Sequence, residues 1–317
     1  MKLIVSTLEA WRRYVSREYY FVMTDLMTNH GWRHIETLEL WNGPGTIKNK
    51  LMEVFGEMPE VILFWEGYNF LIAHTYDLLR LDCHKCVFAD DLHWGWREEG
   101  QKKFLCYAMC DTIISSYAYV FEKFYPQLSG VKQIAWVPHS ASPDFMLRYN
   151  AHPENAILLS GSLDHHYPFR LQMKRLHDRG SYPINYHPHP GYGCNYDYDS
   201  DGDVGQGYAA KINNYRAGFT DSSRHGYVLA KFFEIPATGS LLLSDTAVAA
   251  QLKELGLIEY EHYLPVSSDD LEEKIRYVLN EKNHQEVDEI RRRGQELIRA
   301  RHQTSDRARL INEICLA

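Results

Sequence analysis

Nowhere in the 317 residues does an apolar run approach the ~20 residues that a membrane-spanning helix requires. Met1-Lys-Leu-Ile-Val-Ser-Thr is too short for a secretory signal and reads as the first strand of a sheet, so a cytoplasmic chain without a transmembrane segment is expected. Positive charge is also scarce: 34 Lys and Arg face 42 Asp and Glu, a net charge of −8. Such a chain has no general attraction for polyanions, and nucleic acid would need a local basic patch. Arg291, Arg292 and Arg293 with Arg299 and Arg301 form the only dense cluster, which a solvated helix face explains. Cysteine is scattered at 83, 86, 106, 110, 194 and 315. Cys83-x2-Cys86 and Cys106-x3-Cys110 approach a four-thiolate zinc pattern. Cys86 opens an apolar strand, however, and Cys106 and Cys110 share one helix face, where buried thiols are common, so no metal is expected.

What is present is a strand-then-helix rhythm in a chain long enough for two domains, each with its own core. Strands are predicted at 2–6, 35–40, 61–65, 86–89, 112–116 and 134–137. Helices are predicted at 8–29, 69–79, 98–109 and 118–124. The alternation implies a parallel sheet covered on both faces, with ligands beyond the carboxyl ends of its strands. Three places follow from that rule: Glu66 after the strand at 61–65, Asp90-Asp91-Leu92-His93 after the strand at 86–89, and His139 after Trp136-Val137. The adjacent carboxylates with an imidazole two residues on can hold an acceptor hydroxyl and receive its proton. Equally, the acids can cap the next turn while His93 packs with Trp94 and Trp96.

The second half restarts the rhythm. A strand at 156–162 ends in Gly161-Ser162, a helix runs over 167–178, and Ile184 opens the next strand. Arg170, near that helix start, can reach a diphosphate with its planar fork, or be a solvated surface arginine. The loop from Tyr196 to Asp203 matches the opening of a calcium loop at Asp197, Asp199, Asp201 and Gly202, but Tyr208 stands where its last glutamate belongs. Solvated turn residues are the simpler reading. His187 and His189 near Cys194 are separated by a proline and read as loop histidines.

The most organised stretch runs from Arg224 to Asp245. Asp221, Ser222 and Ser223 offer N-cap side chains, Gly226 permits close approach, a helix is predicted over 227–237, Gly239 stops it, and 241–243 is a buried strand. A helix start beside a parallel sheet makes an anion site, to which Arg224, His225 and Lys231 add positive charge. Glu234 lies two turns on, where a carboxylate can accept the hydroxyl hydrogens of a ribose.

The string Tyr227-Val-Leu-Ala-Lys231-Phe-Phe-Glu234-Ile-Pro-Ala-Thr-Gly239, ending in Leu-Leu-Leu-Ser-Asp245, resembles the donor-binding signature of CgeB-like GT-B glycosyltransferases. The resemblance covers the second half well and the first by layout. It implies an α/β fold of two Rossmann-like domains facing across a cleft: residues 1–146 for the acceptor, 147–302 for the nucleotide sugar, and 303–317 as a helix returning to the first domain. It further implies a metal-independent transfer of sugar from a nucleoside diphosphate to an acceptor hydroxyl of a carbohydrate or other molecule, with no cofactor besides the donor. Gly161, Arg170, Arg224, His225, Gly226, Tyr227, Lys231 and Glu234 would then bind the donor. Asp91 and His93 would act in catalysis, and Glu66, Asp90 and His139 would hold the acceptor. Retaining relatives carry a second glutamate eight positions before the first, where this chain has Gly226. A nucleotide-sugar epimerase, or a binding module without activity, would share the architecture.

Overall fold

The computed structural model describes residues 1–41, 45–93 and 98–317, the side chains of residues 41 and 99 aside. The chain divides into two compact units. The first comprises Met1–Arg12, Tyr19–Pro138 and Ser305–Ala317; the second comprises Arg13–Glu18 and His139–Thr304.

The first unit holds six parallel strands: β1 (Lys2–Ser6), β2 (Trp32–Glu36), β3 (Val61–Trp65), β4 (His84–Ala89), β5 (Thr112–Ser115) and β6 (Gln133–Trp136), in the order β2-β1-β3-β4-β5-β6. Every residue of β3 is buried, as a continuous apolar run in a sheet covered on both faces requires. The predicted strand at 35–40 sits earlier, in the β2 register of Trp32 to Glu36, and residues 37–41 turn helical. The predicted helix at 8–29 is two helices, Leu8–Arg12 and α1 (Glu18–His30), and the segment between them belongs to the second unit. Helix α2 spans Glu98–Met109.

The C-terminal helix, Thr304–Leu316, belongs from Ser305 onward to the first unit. Its Ala308, Ile311 and Cys315 join the core built from Ile4, Val22, Leu63 and Cys86. Burying a side chain such as Ile311 contributes about 1.5–3 kcal/mol. Asn312 fixes the register by accepting from Lys2 Nζ and Trp32 Nε1, both at 3.0 Å. The four cysteines of the imagined zinc pattern are free thiols, three of them buried. Burial pushes Cys106 up to about 12 and raises Cys110.

The second unit holds five parallel strands: β7 (Glu154–Gly161), β8 (Ile184–Pro188), β9 (Tyr215–Thr220), β10 (Leu241–Asp245) and β11 (Leu264–Val266), in the order β11-β10-β9-β7-β8. The order reverses beside β7, which is where a crevice opens at the strand ends of a doubly wound sheet. Its helices include α3 (Pro168–Asp178), α4 (Gly205–Asn213), α5 (Lys231–Ala237) and α6 (His284–Arg301). The arginines of α6 are not all solvated. Arg291 is fully buried and donates to the carbonyls of Gly239 and Asn150, both at 2.9 Å, and to Asp288 at 2.6 Å. That guanidinium satisfies carbonyls that the end of α5 and the chain entering β7 would otherwise leave without partners.

Candidate functional site

In the first unit, β3 and β4 end beside each other, and their exits carry the acids. Glu66 leaves β3 with φ 58°, a left-handed backbone that a non-glycine residue holds only when its surroundings over-determine it. Its amide donates to Phe88 O of β4 at 3.2 Å, which ties the two exits together. Lys103, buried on α2, donates to Asp91 O at 2.7 Å and lies 4.8 Å from the centre of the Tyr68 ring. Tyr68 in turn shares a 3.1 Å hydrogen bond with Tyr107. His93 Nδ1 stands 3.6 Å from Asp91 Oδ1, whereas Trp94 and Trp96 lie outside the described residues.

Burial, with the Asp90 carboxylate beside it, pushes Glu66 up to about 7; Lys103 pulls the other way and Asp91 adds to the rise. Glu66 therefore changes charge near neutrality. It opens into a pocket of about 660 Å³ whose walls include Trp11, Thr37, Trp65, Tyr68 and Lys103. The sequence pointed to Glu66, Asp90, Asp91 and His93, and the structure places them on adjoining strand exits. The backbone strain at Glu66 and the part played by Lys103 carried no sequence signal.

His139 does not join that group: it belongs to the second unit. There its Nδ1 meets Glu18 Oε2 at 2.7 Å, while Ser140 donates to Glu18 Oε1 from its amide at 2.6 Å and its hydroxyl at 2.8 Å. Arg17 holds the buried Asp144 through two bonds, of 2.6 and 3.1 Å. Glu18 and Arg17 were invisible in the sequence because they sit inside what reads as one continuous helix.

At the end of β7, Gly161 has φ 102°. A Cβ there would stand 2.8 Å from Arg170 Nη1 and 3.0 Å from Lys231 Cε, so glycine lets both cations close on this turn. Arg170 is 3% exposed and is no surface arginine. Its Nε lies 3.2 Å from Asp221 Oδ1, its Nη2 donates to Thr220 Oγ1 at 3.0 Å, and its plane covers the Tyr167 ring at 4.0 Å. Lys231 donates to Tyr208 at 2.7 Å and lies 3.9 Å from Glu234. Tyr208 also meets Ser160 at 2.7 Å.

Glu234 is 6% exposed, and burial raises its pKa against the pull of Lys231; Glu18 adds to the rise and His139 opposes it. His189 is held down to about 4 by burial and by the charges of Lys231 and Arg170, so it is neutral at pH 7. Gly161, Arg170, Lys231 and Glu234 are thus brought together, with Tyr208 and His189 added to them.

The turn that follows β9 differs from expectation. The helix begins at Lys231, not Tyr227, because Tyr227 N donates back to Ser222 O at 2.6 Å and closes a turn instead. Asp221 caps α3, accepting from Phe169 N and Arg170 N at 3.1 and 3.2 Å, rather than the helix after it. Ser222 is taken by Asp245, and Ser223 Oγ accepts from His225 N at 3.1 Å. Arg224 is exposed on this turn, and Gly226, with φ 76°, faces open space. His225 Nε2 meets His166 Nδ1 at 2.9 Å. The buried Tyr227 side chain packs beside His225, with ring centres 5.4 Å apart.

The loop at 196–203 is a turn closed by its own side chains. Asp197 uses its carboxylate oxygens on Asp199 N at 3.1 Å and Ser200 Oγ at 2.7 Å, and Asp203 turns to Lys211 and His187. Among the described residues one set of potential metal ligands gathers, Asp164, His165 and His166, with ligand atoms within 4.8 Å of one another. No described helix is long and apolar enough to cross a membrane.

Residues 180–313 match a family described as Glycosyl transferase-like. No curated protein sequence matches. Solved structures are similar over nearly the whole chain. A sucrose-phosphate synthase from Thermosynechococcus elongatus gives a TM-score of 0.64 at 11% identity, over 99% of this chain and 98% of that one. HepE of Anabaena in complex with UDP-glucose gives 0.59 at 9% identity, over 99% of each chain. An alpha-glucosyltransferase in complex with UDP gives 0.60 at 8% identity, over 100% of this chain and 99% of that one. The chain has the GT-B fold of the glycosyltransferases, and its residues 180–313 are glycosyl transferase-like in sequence.

Proposed function

We propose that the protein transfers a sugar from a uridine diphosphate sugar to an acceptor hydroxyl. One observation carries the donor half: at the switch point of the second sheet, a glycine without a Cβ lets Arg170 and Lys231 converge, with Glu234 3.9 Å beyond Lys231. Phosphate oxygens would be met by Lys231, by the exposed Arg224 and by backbone amides of the turn, with Arg170 behind them supplying positive potential. Glu234 is placed to accept from the ribose hydroxyls. Uridine is favoured over other bases because the HepE and alpha-glucosyltransferase structures hold UDP-glucose and UDP.

As the glycosidic bond breaks, negative charge grows on the diphosphate. Fixed cations stabilise it without reorganising, which does the work a divalent metal does elsewhere. In the first unit Asp91 and His93 would orient the acceptor. Calorimetric titration with UDP, coupled to detection of UDP released from UDP-sugars, tests the reading. Lys231→Ala and Glu234→Ala should each weaken UDP binding about 10–100-fold, as loss of hydrogen bonds to charged groups does. UDP affinity unmoved by either substitution would overturn it.

A further inference from the structure

The pocket of about 660 Å³ in the first unit is lined by that unit alone and is within the size range of small-molecule sites. It combines aromatic surface from Trp11 and Tyr68 with neutral hydrogen-bonding groups from Thr37 and Asn69. Aromatic faces with a few convergent polar groups suit a sugar ring, whose C–H faces are apolar and whose edges carry hydroxyls. The charges at the pocket's end choose among sugars. Glu66 lines the pocket with the Asp90 and Asp91 carboxylates acting on it; of the two lysines in the lining, Lys103 is engaged with Asp91 O and the Tyr68 ring, and Lys102 pairs with Glu98 at 3.7 Å. A phosphorylated or otherwise anionic acceptor would be repelled there.

We propose that this pocket takes the neutral hydroxyl end of a saccharide acceptor and that Glu66 is the catalytic residue that removes its proton. The inference rests on the glycosyltransferase reading. The acceptor oxygen forms a bond to the anomeric carbon of the donor, and its proton passes to a Glu66 carboxylate oxygen. The bond from the anomeric carbon to the diphosphate breaks, and UDP leaves with the electron pair. Glu66 then returns its proton to solvent. Two independent features single it out from Asp91: it lines the pocket, which Asp91 does not, and its backbone is held in a left-handed conformation at a strand exit, the kind of local strain that clusters at reacting centres.

The groups facing Glu66 raise its pKa on balance. Burial and Asp90 raise it to about 7, with Asp91 adding and Lys103 opposing, while Tyr68 and Tyr107 feel its charge in turn. A base of that strength is well matched to proton abstraction near neutrality.

The test uses the full chain, UDP-glucose, a panel of methyl hexosides and the corresponding hexose phosphates. Native enzyme should glycosylate a neutral hexoside and turn over the phosphates far more slowly. Its rate should rise with pH to a plateau, with a midpoint near 7, because the carboxylate must be ionised. Glu66→Gln should lower kcat about 10²–10⁴-fold and abolish that midpoint, with UDP affinity by calorimetry unchanged. Glu66→Asn, whose side chain tolerates the left-handed backbone, serves if the Gln variant folds poorly. A rate within threefold of native in a folded variant, or preferential turnover of hexose phosphates, would overturn the proposal. Loss of UDP binding by the native chain would instead overturn the donor reading.

Discussion

At the carboxyl ends of the first sheet three carboxylates, Glu66, Asp90 and Asp91, gather around one buried lysine. At the same ends of the second sheet two cations, Arg170 and Lys231, gather around Asp221 and Glu234. The two units share strand direction and layer order, so architecture alone does not explain the inversion of charge. A parallel sheet with helices on both faces supplies a place where loops and helix starts converge. Which chemistry occurs there depends on a few side chains and on where the backbone can approach them. In one unit the decisive residue is a glycine that admits cations. In the other it is a glutamate held where glycine would be at ease.

The comparison is broken most severely by removing its deepest cation. Arg170→Ala leaves Asp221 buried without its partner, which should destabilise the second unit by about 3–5 kcal/mol in urea denaturation and abolish UDP binding. An unaltered denaturation midpoint would mean that the pair is not structural. On the acidic side the effect has the opposite sign and depends on pH. The pKa of Glu66 is raised above its unfolded value, so the stability of its neutral form is fully present below about 4.5 and is lost as pH rises through about 7. Glu66→Gln should match native stability at pH 4 and exceed it at pH 8.5 by about 3 kcal/mol. Equal stability at both pH values would remove the buried charge from the account.

Glu234→Gln comes next. It keeps shape but offers a weaker acceptor, and donor KM should rise about tenfold, a loss of ~1.4 kcal/mol, with kcat little changed. A fall in kcat at constant KM would assign Glu234 to the transition state instead. The smallest expected effect is none at all: on the proposed reading the fixed cations take a metal's part, and treatment with EDTA should leave UDP-sugar turnover as it was. A lost rate restored by zinc or manganese would direct attention to Asp164, His165 and His166.

The sheets were legible because their strands are short apolar runs bounded by helices: β1 and β3 fall on the residues that periodicity assigns, and α2 is the helix it predicts at 98–109. Lys231 and Glu234, singled out through the resemblance of their local string, lie 3.9 Å apart. Three things were not legible. A break in a helix leaves no mark when its residues, Arg13 to Arg17, include no glycine or proline. A cap is ambiguous when several acceptors stand in a row, and Asp221 chose the helix after β7 because Arg170 drew it there. A histidine's companions depend on which unit its strand exit joins, so His139 meets Glu18 rather than Glu66.

The strip from Arg13 to Glu18 carries a practical lesson for anyone dissecting this chain. Cloning residues 139–304 as a free-standing fragment would take Glu18 from His139 and Ser140 and strip the buried Asp144 of Arg17. An uncompensated interior carboxylate alone costs about 3–5 kcal/mol, a large share of what holds a module of that size together. A fragment that respects chain order would therefore fail for want of a few residues encoded more than a hundred codons upstream, and grafting that strip back through a linker should rescue it.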